Sequence, residues 1–249
     1  MSGSKHTEWF ESWFDSPYYH LLYKNRDFTE AELFIDNLIQ LLQPANESRF
    51  LDLGCGKGRH SFYLNQKGFD VTGVDLSEES IRYAKQLENN KLHFYVHDMR
   101  KLFRTNYFDI IVNLFTSFGY FEHKRDDQST FDSVCKGLKA EGIFVIDFMN
   151  SKKVISNLTS NETKIIEGIE FKISKKVENN SIIKQIEFTD KGKKYFFQER
   201  VKALMLPDFE KYIDANKLKI VHLRGNYNLE EFNEMSSDRL IIIAKKNIR

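Results

Sequence analysis

Between residues 49 and 148 short apolar runs recur at intervals that leave room for helices, and this rhythm restricts the possible folds more than any other feature. RFLDL (49–53), FDVTGVDL (69–76), LHFYVHD (92–98), FDIIVNLF (108–115) and GIFVIDF (142–148) read as five strands. RHSFYLNQKG (59–68), SEESIRYAKQLENN (77–90) and residues 124–138 read as helices between them. Nearly continuous apolar strands separated by helices predict an α/β fold, with a parallel sheet covered on both faces.

The flanks follow other rules. Thr29 to Gln43 reads as an amphipathic helix, with Thr29 as cap, Glu32 three residues on and Pro44 as stop. Residues 163–204 hold three or four β-rich runs. Glu178-Asn179-Asn180-Ser181 and Asp190-Lys191-Gly192-Lys193 between them suit hairpin turns, so a small antiparallel sheet is expected there. A helix from Pro207 to Asn216 and two strands, Leu218–Leu223 and Arg239–Ala244, complete the reading. The expected organisation is an aromatic lid and helix over 1–45, a core over 46–150, an antiparallel insert over 151–204, and core strands again over 205–249.

Composition narrows the function. The 249 residues carry a formal net charge of +1, which supplies no global field for a polyanion and argues against a nucleic-acid partner. Residues 151–204 are the exception, with twelve basic and seven acidic side chains. A solvated lysine face and a basic platform, with Arg200 and Lys202 in it, both fit that excess. Two cysteines, Cys55 and Cys135, are too few for a disulfide framework, and no cluster has metal-ligand spacing, so no metal is expected. MSGSKHTEW lacks the apolar segment of a secretory leader, and the longest apolar run, Leu240 to Ala244, is too short for a membrane span. The expected location is the cytoplasm. The chain has 22 Phe, and its aromatic residues crowd two segments: Trp9, Phe10, Trp13, Phe14, Tyr18, Tyr19 and Tyr23, then Phe115, Phe118, Tyr120 and Phe121.

The first strand runs into LDLGCGKG (51–58). Gly54, Gly56 and Gly58 permit a tight turn and close approach of a ligand. Asp75 ends the next strand, 21 residues after Gly54, near the distance at which an acid meets a ribose diol. Arg59 stands where a dinucleotide fingerprint would have its third glycine. Asp98-Met99 ends the third strand and offers an acceptor beside an apolar side chain. A plain tight turn, a capping Asp98, and Leu76 and Met99 as ordinary core remain open alternatives.

LDLGCGKG, VTGVDLS and HDMR resemble the successive cofactor motifs of class I S-adenosylmethionine (SAM)-dependent methyltransferases, over roughly residues 45–150. The resemblance implies a seven-stranded Rossmann-like sheet of order 3-2-1-4-5-7-6, with the insert between strands 5 and 6. It implies SAM as cofactor. Asp52 and the Gly54–Gly58 loop, Cys55 included, would lie against the methionyl and ribose parts. Asp75 would accept from the ribose, Leu76 and Met99 would flank the adenine, and Asp98 would accept from its amino group. Asn113 and Phe115 would lie near the sulfonium. NLFTSFGYF (113–121) and SPYYHLLY (16–23) further resemble small-molecule N-methyltransferases of the amino-sugar and glycine types. The amino-sugar enzymes carry a histidine where this chain has Tyr120, with His123 three residues on.

The implied acceptor is a small amine. Tyr120, His123 and Tyr19, with His20 beside them, are the candidate catalytic groups, and Tyr19, Tyr23 and Phe115 the rings expected nearest the cofactor. His123 as a solvated loop residue and Tyr120 as plain packing stay open. So do an RNA-modifying enzyme, although NLFT replaces the N-P-P-Y type of tetrad, a non-catalytic SAM-binding protein and a nicotinamide oxidoreductase. The insert is read as a substrate cap or a homodimer contact.

Overall fold

The computed structural model describes residues 13–23 and 28–247, so Trp9 and Phe10 lie outside the described residues. Seven strands form the main sheet: β1 (Arg49–Leu53), β2 (Asp70–Asp75), β3 (Leu92–Val96), β4 (Phe108–Asn113), β5 (Leu138–Met149), β10 (Leu218–Arg224) and β11 (Arg239–Lys246). Their order is β10-β11-β5-β4-β1-β2-β3. β1 to β5 run parallel, while β11 pairs antiparallel with both β5 and β10. Counted within this sheet alone, the order is the 3-2-1-4-5-7-6 expected above.

Alternation along the strands explains why both faces are covered. Ile110, Val112, Val145, Ile241 and Ile243 point to one side, where they meet α2 (Phe28–Leu42), α3 (Arg59–Gln66) and α4 (Glu78–Ala84) through Phe34, Ile35, Leu38, Leu64 and Ile81. Ile111, Phe144, Ile146, Leu240 and Ile242 point to the other, against Phe131 and Val134 of α5 (Lys124–Gly137) and Phe209 and Ile213 of α7 (Leu206–Ala215). α2 begins at Phe28, so Thr29 lies inside the helix instead of capping it.

After β5 and the short α6 (Ser151–Ser156) comes a second sheet, ordered β6 (Asn161–Ile166), β7 (Ile169–Glu178), β8 (Ser181–Asp190), β9 (Lys193–Lys202), all antiparallel. Each hairpin turns on two residues with positive φ: Glu167 and Gly168, Asn179 and Asn180, Lys191 and Gly192. That pair of left-handed residues matches the right-handed twist of the flanking strands. One face of this sheet receives α1 (Pro17–Leu22): Trp13 and Leu22 are buried with Phe171, Ile173, Ile186 and Phe188. Much of the insert's positive charge is paired. Lys175 meets Glu162 at 2.9 Å, Lys184 lies 3.7 Å from Glu199, and Lys202 reaches the buried Asp127 of α5. Lys202 therefore ties the insert to the core. Among the described residues no helix is long and apolar enough to cross a membrane.

Candidate functional site

The C-terminal ends of β1 to β4 open into one cavity of about 600 Å³. Parallel strands bring their outgoing loops to one edge, which is where open α/β sheets bind ligands. The volume lies within the roughly 300–1,000 Å³ usual for small-molecule sites.

The glycine loop forms part of the wall. Gly54, Gly56 and Gly58 all have positive φ. A Cβ on Gly58 would come within 2.6 Å of the Phe94 ring, so packing excludes a side chain there. Gly56 differs: a Cβ would meet nothing within 4 Å, and Gly56 lines the cavity. The bare backbone at Gly56 leaves room for a ligand to approach closely. Its N–H donates to Oδ2 of Asp75 at 2.8 Å, and the Ser77 N–H donates to Oδ1 at 2.9 Å. Each Asp75 oxygen keeps further acceptor capacity. Burial raises the Asp75 pKa despite these two bonds.

Leu76, Asp98 and Met99 continue the lining, as does Cys55, whose thiol burial pushes well upward. No helix follows β3, so Asp98 caps none. Its carboxylate is forked by Arg100, with Nε at 3.0 Å from both oxygens and Nη2 at 2.8 Å from Oδ2. Burial alone would raise its pKa, but the bonds from Arg100 prevail and hold it below the ordinary carboxylate range.

Four of the residues expected at the site do not line the cavity: Asp52, Gly58, Asn113 and His123. Asp52 is buried beneath the loop, where its Oδ2 accepts from Ser61 Oγ at 2.6 Å and burial raises its pKa to about 6. Asn113 is buried behind the wall and ties β4 to β1 by donating to the Leu53 carbonyl at 2.7 Å. His123 is exposed just before α5. That position sets it apart from the enclosed histidines.

The two aromatic segments meet at the cavity. Phe14, Tyr19, Tyr23, Phe115, Tyr120 and Phe121 all line it. Phe14 stands edge-on to Tyr120, with centroids 5.3 Å apart, and to Tyr19 at 5.0 Å. Trp13 and Tyr18 instead turn to the insert: Trp13 Nε1 donates to Glu199 Oε1 at 2.7 Å and Tyr18 to Asp190 at 2.8 Å. Tyr23 serves both sides. It lines the cavity, donates to Glu199 at 2.6 Å and accepts from Lys184.

Sequence reasoning missed part of the wall: His60 lines it, beside the expected His20. His20 Nε2 is buried with no hydrogen-bond partner among the described residues. Burial and the nearby Lys57 lower its pKa to about 4, which leaves it neutral at pH 7. Burial and Arg59 take His60 to about 3. Lys57, Arg59, Thr116 and Ser117 also line the cavity. Arg59 was legible, since it follows the glycine loop directly. Thr116 was not, because the left-handed backbone that places it, with φ of 60° at Phe115 and 61° at Thr116, leaves no mark in the sequence. Among the described residues no group of three or more His, Cys, Asp or Glu could hold a metal.

Residues 45–200 match a family model described as a methyltransferase domain. The Bacillus subtilis protein YqeM is 41% identical over 113 residues, which is 43% of this chain and 45% of that protein. Human glycine N-methyltransferase is 28% identical over 137 residues, 48% of this chain and 46% of that enzyme. The chain thus spans about half the length of the curated relatives it matches. Among solved structures, a SAM-dependent methyltransferase from Clostridium acetobutylicum superposes with a TM-score of 0.78 at 22% identity, covering 93% of this chain and 96% of that one. The sugar N-methyltransferase KedS8 from Streptoalloteichus gives 0.74 at 16% identity, covering 92% and 93%. At such identities the likeness speaks for the fold.

Proposed function

Because this chain belongs to the methyltransferase-domain family, we propose that it transfers a methyl group from SAM to the nitrogen of a small amine. The observation that carries this reading is the cavity in which a glycine loop braced by Asp75 faces an aromatic wall. The names of the glycine and sugar N-methyltransferases among its relatives support an amine as acceptor.

The residues present fit the donor. Gly56 leaves open space for a close approach, Asp75 keeps acceptor capacity for ribose hydroxyls, and Leu76, Met99 and Asp98 lie together for a purine. SAM, when bound, supplies a methyl group on a cationic sulfur. The chain's own task is to orient the nucleophile in line and exclude water, which accounts for a large part of the rate when the electrophile is already activated. The rings of Tyr19, Tyr23, Phe115 and Tyr120 present negative faces to cationic charge. An amine attacks only as its free base, and an apolar enclosure favours that uncharged form. As the N–C bond forms and the S–C bond breaks, the nitrogen becomes cationic and then sheds a proton. Tyr19 and Tyr120 are the hydroxyls of the wall suited to orient the acceptor by accepting from its N–H, and the proton is shed to water. The exposure of His123 and its place outside the wall support leaving it out of this role. The second sheet, bearing α1, serves as the cap.

Titration calorimetry with SAM, S-adenosylhomocysteine, NAD and NADP tests the donor. Binding of the first two alone is expected, and binding of a nicotinamide dinucleotide instead would overturn it. A labelled-methyl screen over small amines, amino sugars and tRNA then tests the acceptor. Label found in tRNA alone would refute the amine.

A further inference from the structure

Phe115 and Thr116 form an unusual stretch of backbone. Two successive residues bearing side chains sit in the left-handed region, and Thr116 is β-branched, for which a positive φ is a genuine outlier. Such a conformation persists only where its surroundings over-determine it. Here they do. The Phe115 N–H donates to Asp147 Oδ2 at 2.8 Å, and the Thr116 N–H donates to the Asp147 carbonyl at 2.9 Å. Arg239 Nη2 donates to Thr116 Oγ1 at 2.9 Å, while its Nε donates to Asp147 Oδ1 at 2.7 Å. Tyr227 OH donates to Asp147 Oδ2 at 3.1 Å. The Arg239 guanidinium also lies over the rings of Phe115, at 5.7 Å, and Tyr227, at 5.6 Å. Asp147 is fully buried. One carboxylate, one guanidinium and one phenol thus clamp both residues from behind, and neither Asp147, Arg239 nor Tyr227 lines the cavity.

We propose that Asp147, Arg239 and Tyr227 are positioning residues that hold Phe115 and Thr116 in the conformation that shapes the SAM-facing wall. This rests on the methyl-transfer reading above. In this role the three act through Phe115 and Thr116 and touch no ligand. A network needed only for stability would lower melting temperature and leave binding by the folded fraction unchanged. A clamp predicts a local effect.

The test uses the full chain and two readouts, amide hydrogen exchange and SAM affinity by calorimetry. Asp147→Asn keeps the shape and removes the charge that pairs Arg239. It is expected to speed exchange at Phe115 and Thr116 about tenfold while β4 and β5 amides stay near wild type, and to weaken SAM binding about tenfold. Tyr227→Phe is the milder variant, with effects of about threefold in the same direction. Thr116→Gly, which adopts positive φ without penalty, should restore most of the affinity lost by Asp147→Asn. The proposal is overturned if exchange at Phe115 and Thr116 is unchanged, if it rises equally across the sheet, or if it rises while SAM affinity stays at the wild-type value. Should the wild-type chain bind no SAM, the donor reading fails by itself, and the local or global pattern of exchange still decides whether the clamp exists.

Discussion

Asp75 does two jobs at once. Its two oxygens fasten the N–H groups of Gly56 and Ser77, and the same carboxylate faces the cavity. Asp75→Ala would therefore loosen the loop as well as remove a ligand contact. Asp75→Asn is the milder change, because the amide oxygen keeps one of the two loop bonds while the charge is lost. A charge-assisted hydrogen bond contributes about 1.5–3 kcal/mol, so calorimetry on Asp75→Asn is expected to show SAM binding at least roughly tenfold weaker. Unchanged affinity would contradict the assignment. At Gly56 two effects add. Its φ is 55°, and the space before it is the cavity. Valine there is disfavoured in the backbone by about 1–2 kcal/mol and projects toward the ligand. Gly56→Val is expected to abolish SAM uptake and to lower the melting temperature by only several degrees. A variant that melts early yet binds normally would refute the cradle.

At the scale of elements, α1 and the insert form one unit. Glu199 accepts from both Trp13 and Tyr23, and Lys184 lies 3.7 Å from its other oxygen. Burial lowers the Lys184 pKa, and Glu199 works against that shift. Glu199→Ala removes the oxygen that accepts from Trp13 and Tyr23 as well as the charge that faces Lys184. It is expected to free α1 from its seat, seen as faster proteolytic cleavage within residues 13–23, and to raise the KM for SAM severalfold with little change in kcat. Equal cleavage rates in variant and wild type would show that α1 needs no such anchor. This coupling explains where sequence reading reached its limit. The strands were legible, because buried strands announce themselves by local apolar runs and the glycine loop by spacing, while their order came only with the resemblance of the motifs. The docking of Trp13 on Glu199 joins residues 186 positions apart, and no periodicity reports such a contact. The same holds for Asp147 and Arg239, which read as the end of one strand and the start of another until β11 is paired with β5. α1 went unread because six residues beginning at Pro17 carry too little pattern. The aromatic crowding was visible, but its division between cavity and insert was not, since side-chain direction depends on the partner sheet.

The whole molecule carries its buried histidines at a cost that depends on pH. The His60 imidazole sits in the core near the glycine loop with a pKa of about 3, against about 6.5 in an unfolded chain. The unfolded state therefore binds the proton first as pH falls. The stability tied to neutral His60 is fully present above pH 6.5 and is lost progressively as pH drops toward 3. Each pH unit in that window removes about 1.4 kcal/mol. His20, only half enclosed and at about 4, pulls in the same direction with less weight. Asp52 opposes them. Its pKa is raised to about 6, so its contribution is present below the unfolded value near 3.8 and vanishes as pH rises through 6. Burial also raises the carboxyls of Asp75 and Asp127, which pull the same way as Asp52. Urea midpoints measured from pH 7 to pH 5 are therefore expected to fall more steeply, or rise less, for the wild-type chain than for one that lacks the His60 imidazole. His60→Gln removes the largest histidine contribution and leaves Asp52 in place, so its midpoints should stay level or rise over the same range. A His60→Gln chain whose midpoints change with pH as those of the wild type do would show that the proton uptake lies elsewhere.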